Sequence, residues 1–396
     1  MRRGVLCCLL LALLVGLSLP AVCEEDDDMS ILELTEDDTL VLLEEDEEDP
    51  NGVPNIYEAD GSVLITISAT GDLTIGGDSR KRTDIFNDEL KKQGGDISFT
   101  MRNVRDILMA DDLTIVNFEG TLTDSTYVPS NKKNNEFLFS APPSYVSMLS
   151  DNGIEAVALE NNHVMDHGES AYEDTKYALK NAGIVYSNST ETGVIEIKGV
   201  KIAMLSYLCI DRWDSLRTQV PKDIETAKKE YDLVICSFHW GYELAYSPTQ
   251  NQVDMGHLAV DSGADLVLGH HSHRINPIEK YNGVYICYSL GNFCFSGNSK
   301  PSDMTSYIFQ TRFRVKPDGI TIQNEGFRII PIRISSLTNR NDFIPTPLDK
   351  DTAIDSLLTT LTANSHVIRK SGSTFKKTGQ TLEYAVVDYP LTWAGE

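Results

Sequence analysis

The chain has no Cys-x-x-Cys pair among its seven cysteines, so a structural zinc site built on paired thiolates is excluded. Cys7, Cys8 and Cys23 fall at the amino terminus. Cys209, Cys236, Cys287 and Cys294 sit in or beside apolar runs such as Val234-Ile235-Cys236-Ser237-Phe238. Buried thiols packing as small hydrophobes are expected there. A disulfide framework belongs to small, loop-rich secreted chains, and a Cys287–Cys294 bridge is the alternative left open. Basic charge is scarce: 34 Lys and Arg face 59 Asp and Glu, a formal net charge of −25. Residues 24–50 hold 15 acids and no Lys or Arg, and residues 51–396 still carry −12. No nucleic-acid partner is expected, because that affinity depends on Lys and Arg neutralising phosphates. Beyond the amino terminus no apolar run is long enough to span a bilayer.

What is present starts with an export-type segment. Arg2 and Arg3 precede an apolar stretch from Val5 to Leu17, and small residues follow at Ala21 and Cys23. Cleavage with release, an uncleaved anchor and lipidation at Cys23 all stay open. Pro20-Ala21-Val22-Cys23 is a poor lipobox, because Val is large. Each outcome predicts a protein that is secreted or attached to the outer face of the cytoplasmic membrane. Residues 24–60 read as an acidic tether without a packed core, reaching roughly 35 Å. Ile31-Leu32-Glu33-Leu34 and Leu40-Val41-Leu42-Leu43 are apolar islands in it, read as a solvated spacer or as docking points. The expected organisation is a signal or anchor (1–23), the tether (24–60), one domain (61–335) and a carboxyl-terminal extension (336–396).

From about residue 62 to 297, strand and helix patterns alternate, which predicts α/β layering. Ala171, Thr175, Ala178 and Ala182 space as one helix face after Gly168, with Gly183 as its stop. Tyr145, Met148 and Leu149 suggest a helix ending at Asn152-Gly153, and Val253, Leu258 and Ala259 another before Asp265. After about residue 305 the pattern becomes β-rich. Strands are expected at Tyr307–Val315, Ile320–Asn324 and Arg328–Ile334, around a Pro317-Asp318-Gly319 turn. A helix over Thr352–Leu361, a loop at 370–380 and a last strand at Leu382–Val387 follow.

Six of the apolar runs end in polar clusters, and open α/β sheets place ligand sites at the carboxyl ends of strands. Leu64–Ala69 leads to Gly71-Asp72, and Leu113–Val116 to Asn117-Phe118-Glu119-Gly120. Ala156–Leu159 leads to Glu160-Asn161-Asn162-His163, and Leu233–Phe238 to His239-Trp240-Gly241-Tyr242-Glu243. Leu266–Leu268 leads to Gly269-His270-His271-Ser272-His273, and Val284–Leu290 to Gly291-Asn292-Phe293. His271 and His273 are two apart, so on an extended segment both rings face one way and His270 faces the other. His270 is therefore expected as a packing or supporting group. Asp72 and Glu119 offer hard oxygens, Asn162 an amide oxygen and His239 an imidazole. That mixed donor set suits one or two divalent ions of Mn, Fe, Zn or Mg. His163 is placed to give a proton to a leaving group, with Asp166 either orienting it or capping the next helix. Glu243 reads as a carboxylate behind His239 or as an exposed loop acid.

In these ordered segments the chain resembles the CapA family, poly-γ-glutamate biosynthesis proteins of the calcineurin-like metallophosphoesterase superfamily. The resemblance covers roughly residues 63–297 and, more weakly, the strands to about 335. It rests on Gly71-Asp72, Asn117-Phe118-Glu119-Gly120, Asn161-Asn162-His163 with Asp166 and Gly168, His239-Trp240-Gly241 with Glu243, Gly269-His270-His271-Ser272-His273 and Ser289-Leu290-Gly291-Asn292-Phe293. It implies an α/β fold of four layers, αββα, with helices flanking two facing sheets. It also implies a metal centre of Asp72, Glu119, Asn162, His239, His271 and His273, with His163 as the catalytic histidine and Asn292 near the site. One position departs. Ordinary relatives begin with Asp-x-His, whereas Leu73 and Thr74 follow Asp72 here, so one metal position lacks an imidazole and Asp78 is the candidate substitute.

Three functions are compatible with this reading. The first is support of poly-γ-glutamate or a related capsule polymer at the cell envelope, beside a membrane-bound synthase. An acidic protein handling an anionic polymer needs metal bridging or a local basic patch. The second is an extracytoplasmic metal-dependent phosphoesterase, with His163 protonating the leaving oxygen; hydrolysis of an amide is its variant. The third is a non-catalytic scaffold whose apolar islands recruit the synthase.

Overall fold

The computed structural model describes residues 56–368 except 82–83, 134–135, 319–320 and 364–367. It also gives the backbone of four short strands, Leu32–Leu34, Leu40–Leu42, Gly379–Gln380 and Ala385–Tyr389. The chain divides into two compact units, Met1–Asn55 and Ile56–Glu396. In the first, the two apolar islands pair antiparallel, with Leu32 opposite Leu42 and Leu34 opposite Leu40. The residues that join these two strands lie outside the described residues. The export-type segment and the rest of the tether lie outside the described residues.

The second unit is mixed α/β. It opens with β1 (Val63–Thr74), α1 (Ile85–Lys92), β2 (Leu113–Phe118) and β3 (Ala156–Ala158). Then come α2 (Glu169–Asn181), β4 (Val185–Ser187), β5 (Gly193–Ile197), β6 (Val200–Cys209) and α3 (Trp213–Ala227). Next are β7 (Leu233–Trp240), α4 (Gln250–Asp261), β8 (Leu266–His270), β9 (Ile278–Tyr281), β10 (Val284–Cys287) and β11 (Asn292–Phe295). It closes with β12 (Thr305–Val315), β13 (Ile322–Arg333), α5 (Asp351–Ala363) and β14 (Ala385–Tyr389). One sheet has the order β14-β13-β12-β1-β2-β3-β4, with β11 added alongside β1; the other has the order β5-β6-β7-β8-β10-β9. Strands β1 to β4 are mutually parallel, as are β6, β7, β8 and β10.

Alternation along the strands sorts the core. Ile65, Ile67 and Ile115 from the first sheet join Ile202, Ile235 and Leu268 from the second in one cluster. Val116, Val157, Ile308 and Ile330 pack with Phe86 of α1 and Leu179 of α2. Val234, Cys236 and Phe238 pack with Val220 of α3 and Met255 of α4. Both faces of each sheet are therefore buried, as near-continuous apolar runs require. Cys209, Cys236, Cys287 and Cys294 are free and buried, so Cys287 and Cys294 do not form the alternative bridge. Among the described residues no helix is long and apolar enough to cross a membrane.

The acids that precede the parallel strands have a shared role. Asp112 accepts from the Thr66 amide and Glu155 from Thr114, each at 2.8 Å; Asp232 accepts from Lys201 at 2.8 Å and Asp265 from Val234 at 2.7 Å. Each carboxylate stands just before one strand and accepts a backbone amide of the neighbouring strand, supplying an acceptor the amide would otherwise lack. This leaves the carboxyl ends free for the polar clusters. In place of two separate strands there is one, β13 (Ile322–Arg333), with a register shift opposite Arg312 and Phe313; Ile320 lies outside the described residues. Gly326 pairs with Arg312 and Asn324 with Phe313, so Glu325 is the extra residue and, beside Gly326 at φ 125°, the stretch is a bulge and not a break.

Asp111 lies in the same acidic belt and carries a cost. Burial pushes its carboxyl up to about 7 despite hydrogen bonds from Ser68 and Thr114, with Glu155 and Asp112 adding to the rise. A folded value above the unfolded one means the folded protein binds more protons in that interval, so stability falls as pH rises from about 4 to 7. Asp111→Asn is expected to melt several degrees above the wild type at pH 8 and to show no gain near pH 4. Thermal scans across that range read this directly.

Candidate metal centre

Parallel pairing sets the polar strand ends in rows. Asn292 of β11 lies opposite Asp72 of β1, which lies opposite Asn117 of β2. In the second sheet His239 of β7 lies opposite His270 of β8. Glu119 follows β2 and donates its amide to Leu73 O at 2.8 Å, while Asp72 donates its amide to Gly291 O at 2.9 Å. That last contact needs glycine at 71, since a Cβ there would lie 2.2 Å from the Gly291 oxygen.

The side chains converge. His273 Nδ1 is 3.0 Å from Asp72 Oδ2, and His273 Nε2 is 3.8 Å from Glu119 Oε1. Ligand atoms of Asp72, Glu119 and His273 all lie within 4.8 Å of one another. Asn117 donates to Asp72 Oδ1 at 2.8 Å and its amide lies 3.3 Å from His239 Nδ1. The His239 and His271 rings are 4.6 Å apart, and His271 and His273 are 6.3 Å apart. Asn292 Oδ1 lies 2.9 Å from His273 Nδ1, leaving Nε2 toward Glu119.

This space is deficient in positive charge and in donors. Both Glu119 oxygens, His239 Nε2, His271 Nδ1 and His270 Nε2 are buried without a hydrogen bond, and Asp72 Oδ2 meets only the His273 ring at 3.0 Å. Asn162 Oδ1, at the end of the neighbouring strand, is also buried without a partner. Each such atom costs about 1–3 kcal/mol if nothing else satisfies it. A divalent cation answers the carboxylates and imidazoles together. The donors are oxygen and nitrogen without thiolate, a set that holds Mn, Fe, Zn or Mg. The buried Asp72–Glu119–His273 group can therefore hold a metal ion.

The bacterial capsule synthesis protein family PGA_cap matches residues 66–297, the stretch that builds this site. The chain belongs to that family. It is 31% identical over 310 residues to the PGA biosynthesis protein CapA of Bacillus subtilis, covering 73% of this chain and 75% of that protein. It is 28% identical over 255 residues to the capsule biosynthesis protein CapA of Bacillus anthracis, spanning 58% of this chain and 60% of the relative. A probable polyglutamine synthesis accessory protein of Mycobacterium tuberculosis is 29% identical over 215 residues, 46% of this chain and 55% of its own.

The protonation pattern follows from burial and neighbours. Burial works to raise Asp72, but the imidazoles of His270 and His273 beside it hold its carboxyl well below the usual range. Burial pushes Glu119 up to about 7, against the pull of His273. Burial works to lower His273, yet Glu119 and Asp72 outweigh it and push the imidazole up to about 10. Burial depresses His239 well below its ordinary value and His271 to about 4, so both present neutral rings.

A second group adjoins this one. His163 Nδ1 is 2.7 Å from Asp166 Oδ2, and its Nε2 is 3.7 Å from Glu119 Oε1. Asp166 also takes the Phe139 amide at 2.7 Å and the Lys132 ammonium at 2.5 Å. Asp166 thus faces His163 and does not cap α2, whose N-cap is Gly168 without a side-chain bond.

Three expectations need correcting, and of the two readings of Glu243 the exposed loop acid holds. His270 does not turn away: its Nδ1 lies 3.5 Å from Asp72 Oδ1. His271 and His273 are not on an extended segment, since β8 ends at His270 and their φ values are 88° and 53°. A left-handed turn, not strand alternation, brings them to the site. Glu243 is exposed, and the group against His239 is Asn117. Asp78 accepts from the amides of Arg80 and Leu138, a turn-forming role. Asn117, Asn161 and Lys132 were missed as working residues. Asn161 donates to Asn117 Oδ1 at 3.2 Å and Phe118 O at 2.7 Å and accepts from the His163 amide at 3.1 Å, so it ties two strand ends together. Both asparagines stood in the polar clusters and were legible as such; Lys132, 34 residues from Asp166, gave no local signal.

Adding Mn²⁺ is expected to raise the melting temperature with the logarithm of its concentration above Kd, by the equivalent of about 2.7 kcal/mol at one hundred times Kd. EDTA reverses the shift. Asp72→Asn and His273→Ala are expected to abolish it, as measured by differential scanning fluorimetry and metal analysis of the dialysed protein.

Proposed function

We propose that this protein supports the synthesis or export of poly-γ-glutamate, or a related anionic capsule polymer, through a divalent-metal centre on the outer side of the cytoplasmic membrane. The convergence of unsatisfied buried donors from Asp72, Glu119, Asn162, His239, His270 and His271 carries this reading. The family match over the same residues and the relatives named for PGA and capsule biosynthesis support the polymer. A relative named as a polyglutamine synthesis accessory protein supports a membrane-bound synthase as partner. The three apolar clusters support a four-layer αββα arrangement, in which both sheets lend strand ends to one site.

In this reading Asp72, Glu119 and His273 hold one ion, and Asn162, His239 and His271 complete its surroundings or hold a second. A bound divalent cation supplies the charge that polarises a carbonyl or phosphoryl oxygen. Asp166 fixes the His163 ring, and Lys132 and the Phe139 amide fix Asp166. His163 Nε2 is left facing the centre, able to move a proton at the scissile bond. Deleting the gene in its own host is expected to remove polymeric glutamate from the cell surface, read by acid hydrolysis and amino-acid analysis. The wild-type gene restores it and Asp72→Asn does not; persistence of the polymer in the deletion strain refutes the role.

The His163–Asp166 pair beside Glu119 favours a second reading, a metal-dependent phosphoesterase. With Mn²⁺ present, bis(p-nitrophenyl) phosphate is then hydrolysed, and His163→Ala lowers kcat about 100-fold or more. A metal-loaded protein with no turnover on phosphodiesters removes this alternative.

A further inference from the structure

An acidic protein that handles an anionic polymer needs a local reversal of sign, and the structure carries one on the His163 side of the site. We propose that Lys81 and Lys133, on two loops joined by Arg80, form an anion subsite that seats carboxylates of the polymer beside His163. The inference rests on the polymer reading above.

The two loops are built as one unit. Gly77–Asp78 pairs with Phe139–Ser140, and the Ser79 amide donates to Leu138 O at 2.9 Å. Arg80 reaches across and donates to the carbonyls of Lys133, Glu136 and Lys132. Its guanidinium is therefore spent on backbone oxygens and adds positive charge without a carboxylate partner. Lys132 turns inward to Asp166. Lys133 is exposed, and Lys81, half exposed, lies with Nζ 4.4 Å over the Phe137 ring. Two acids offset part of this charge: Asp78 pairs with Lys81 at 4.0 Å while accepting from the Arg80 and Leu138 amides, and Glu136 accepts from the Lys133 amide. Arg80, Lys81 and Lys133 together still exceed Asp78 and Glu136 by one positive charge.

A short path of stacked rings ties the rim to the chemistry. Phe137 stacks on Phe139 at 5.6 Å, and Phe139 lies 4.7 Å from the His163 ring. Tyr127, Val128, Phe137 and Met165 on this same rim are exposed. His167 holds Tyr127 in place, with its Nδ1 2.8 Å from Tyr127 O and its Nε2 3.3 Å from Ser79 Oγ. A γ-linked glutamate chain alternates methylene pairs with amides and bears one free carboxylate per residue. Exposed ammonium groups beside exposed rings match both features, and in a domain of net −12 such a patch is the place where a polyanion is not repelled.

The test uses the Mn²⁺-loaded full chain and fluorescently labelled poly-γ-glutamate, followed by anisotropy across a salt series. Lys81→Glu/Lys133→Glu is expected to bind about tenfold more weakly or worse, with a flatter salt dependence. Its Mn²⁺-induced melting shift should be unchanged, which separates loss of the subsite from loss of the metal centre. Lys201→Glu/Lys229→Glu makes the same change of net charge at the opposite strand ends and is expected to keep wild-type affinity. Wild-type affinity in the Lys81/Lys133 variant refutes the subsite and leaves the polymer reading standing. No polymer binding by the wild type refutes both. Displacement of the polymer by inorganic tripolyphosphate at far lower concentration than by unlabelled oligoglutamate refutes the carboxylate assignment and marks a phosphate subsite instead.

Discussion

Two carboxylates, Asp72 and Glu119, are buried completely in one shared space, and the surrounding architecture answers to that. Unpaired buried charge costs several kcal/mol per ion. The chain meets it by bringing the imidazoles of His239, His270, His271 and His273 against the acids from the second sheet, and Asn117 and Asn161 from the first. The pairing is incomplete, because imidazoles and amides cannot neutralise two acids and still satisfy their own nitrogens. Buried carboxylate oxygens and imidazole nitrogens left without partners are what allow the space to hold a cation rather than close as a packed polar core.

This constraint gives the domain a polarity along its strands. At the amino ends of β2, β3, β7 and β8 stand Asp112, Glu155, Asp232 and Asp265, each accepting a neighbouring strand's backbone amide. The carboxyl ends stay open and carry the ligating groups. Glycine is required where these ends crowd. A Cβ at Gly269 would lie 2.2 Å from Tyr288 O, as one at Gly71 would from Gly291 O. Close backbone approach is thus part of how separate strand ends reach one another.

The His163 side adds a second layer of control. Asp166 is held by Lys132 and by the Phe139 amide, so the orientation of His163 depends on the loop that carries Lys132, Lys133 and Phe137. A chain lying on that loop would contact the residues that set the histidine. One hydrogen-bonded segment thus connects the exposed loop to the His163 ring, with no distant rearrangement needed.

The order of residues alone makes legible the α/β alternation, the helix after Gly168, the buried thiols and the six polar strand ends. These follow from periodicity and from turn residues, which act over a few neighbours. It also marked Asp72, Glu119, Asn162, His239, His271 and His273, because donor residues at the close of apolar runs are a local signal. Only the tertiary structure decided how those ends meet: that His270 faces Asp72, that a left-handed turn aims His271 and His273, that Asn117 lies against His239 across 122 residues, and that Lys132 reaches Asp166. The physical reason is that a side chain's direction is set locally by φ and ψ, whereas its partner is set by which strands pair and in what register, and strand pairing joins segments whose separation leaves no trace in either one.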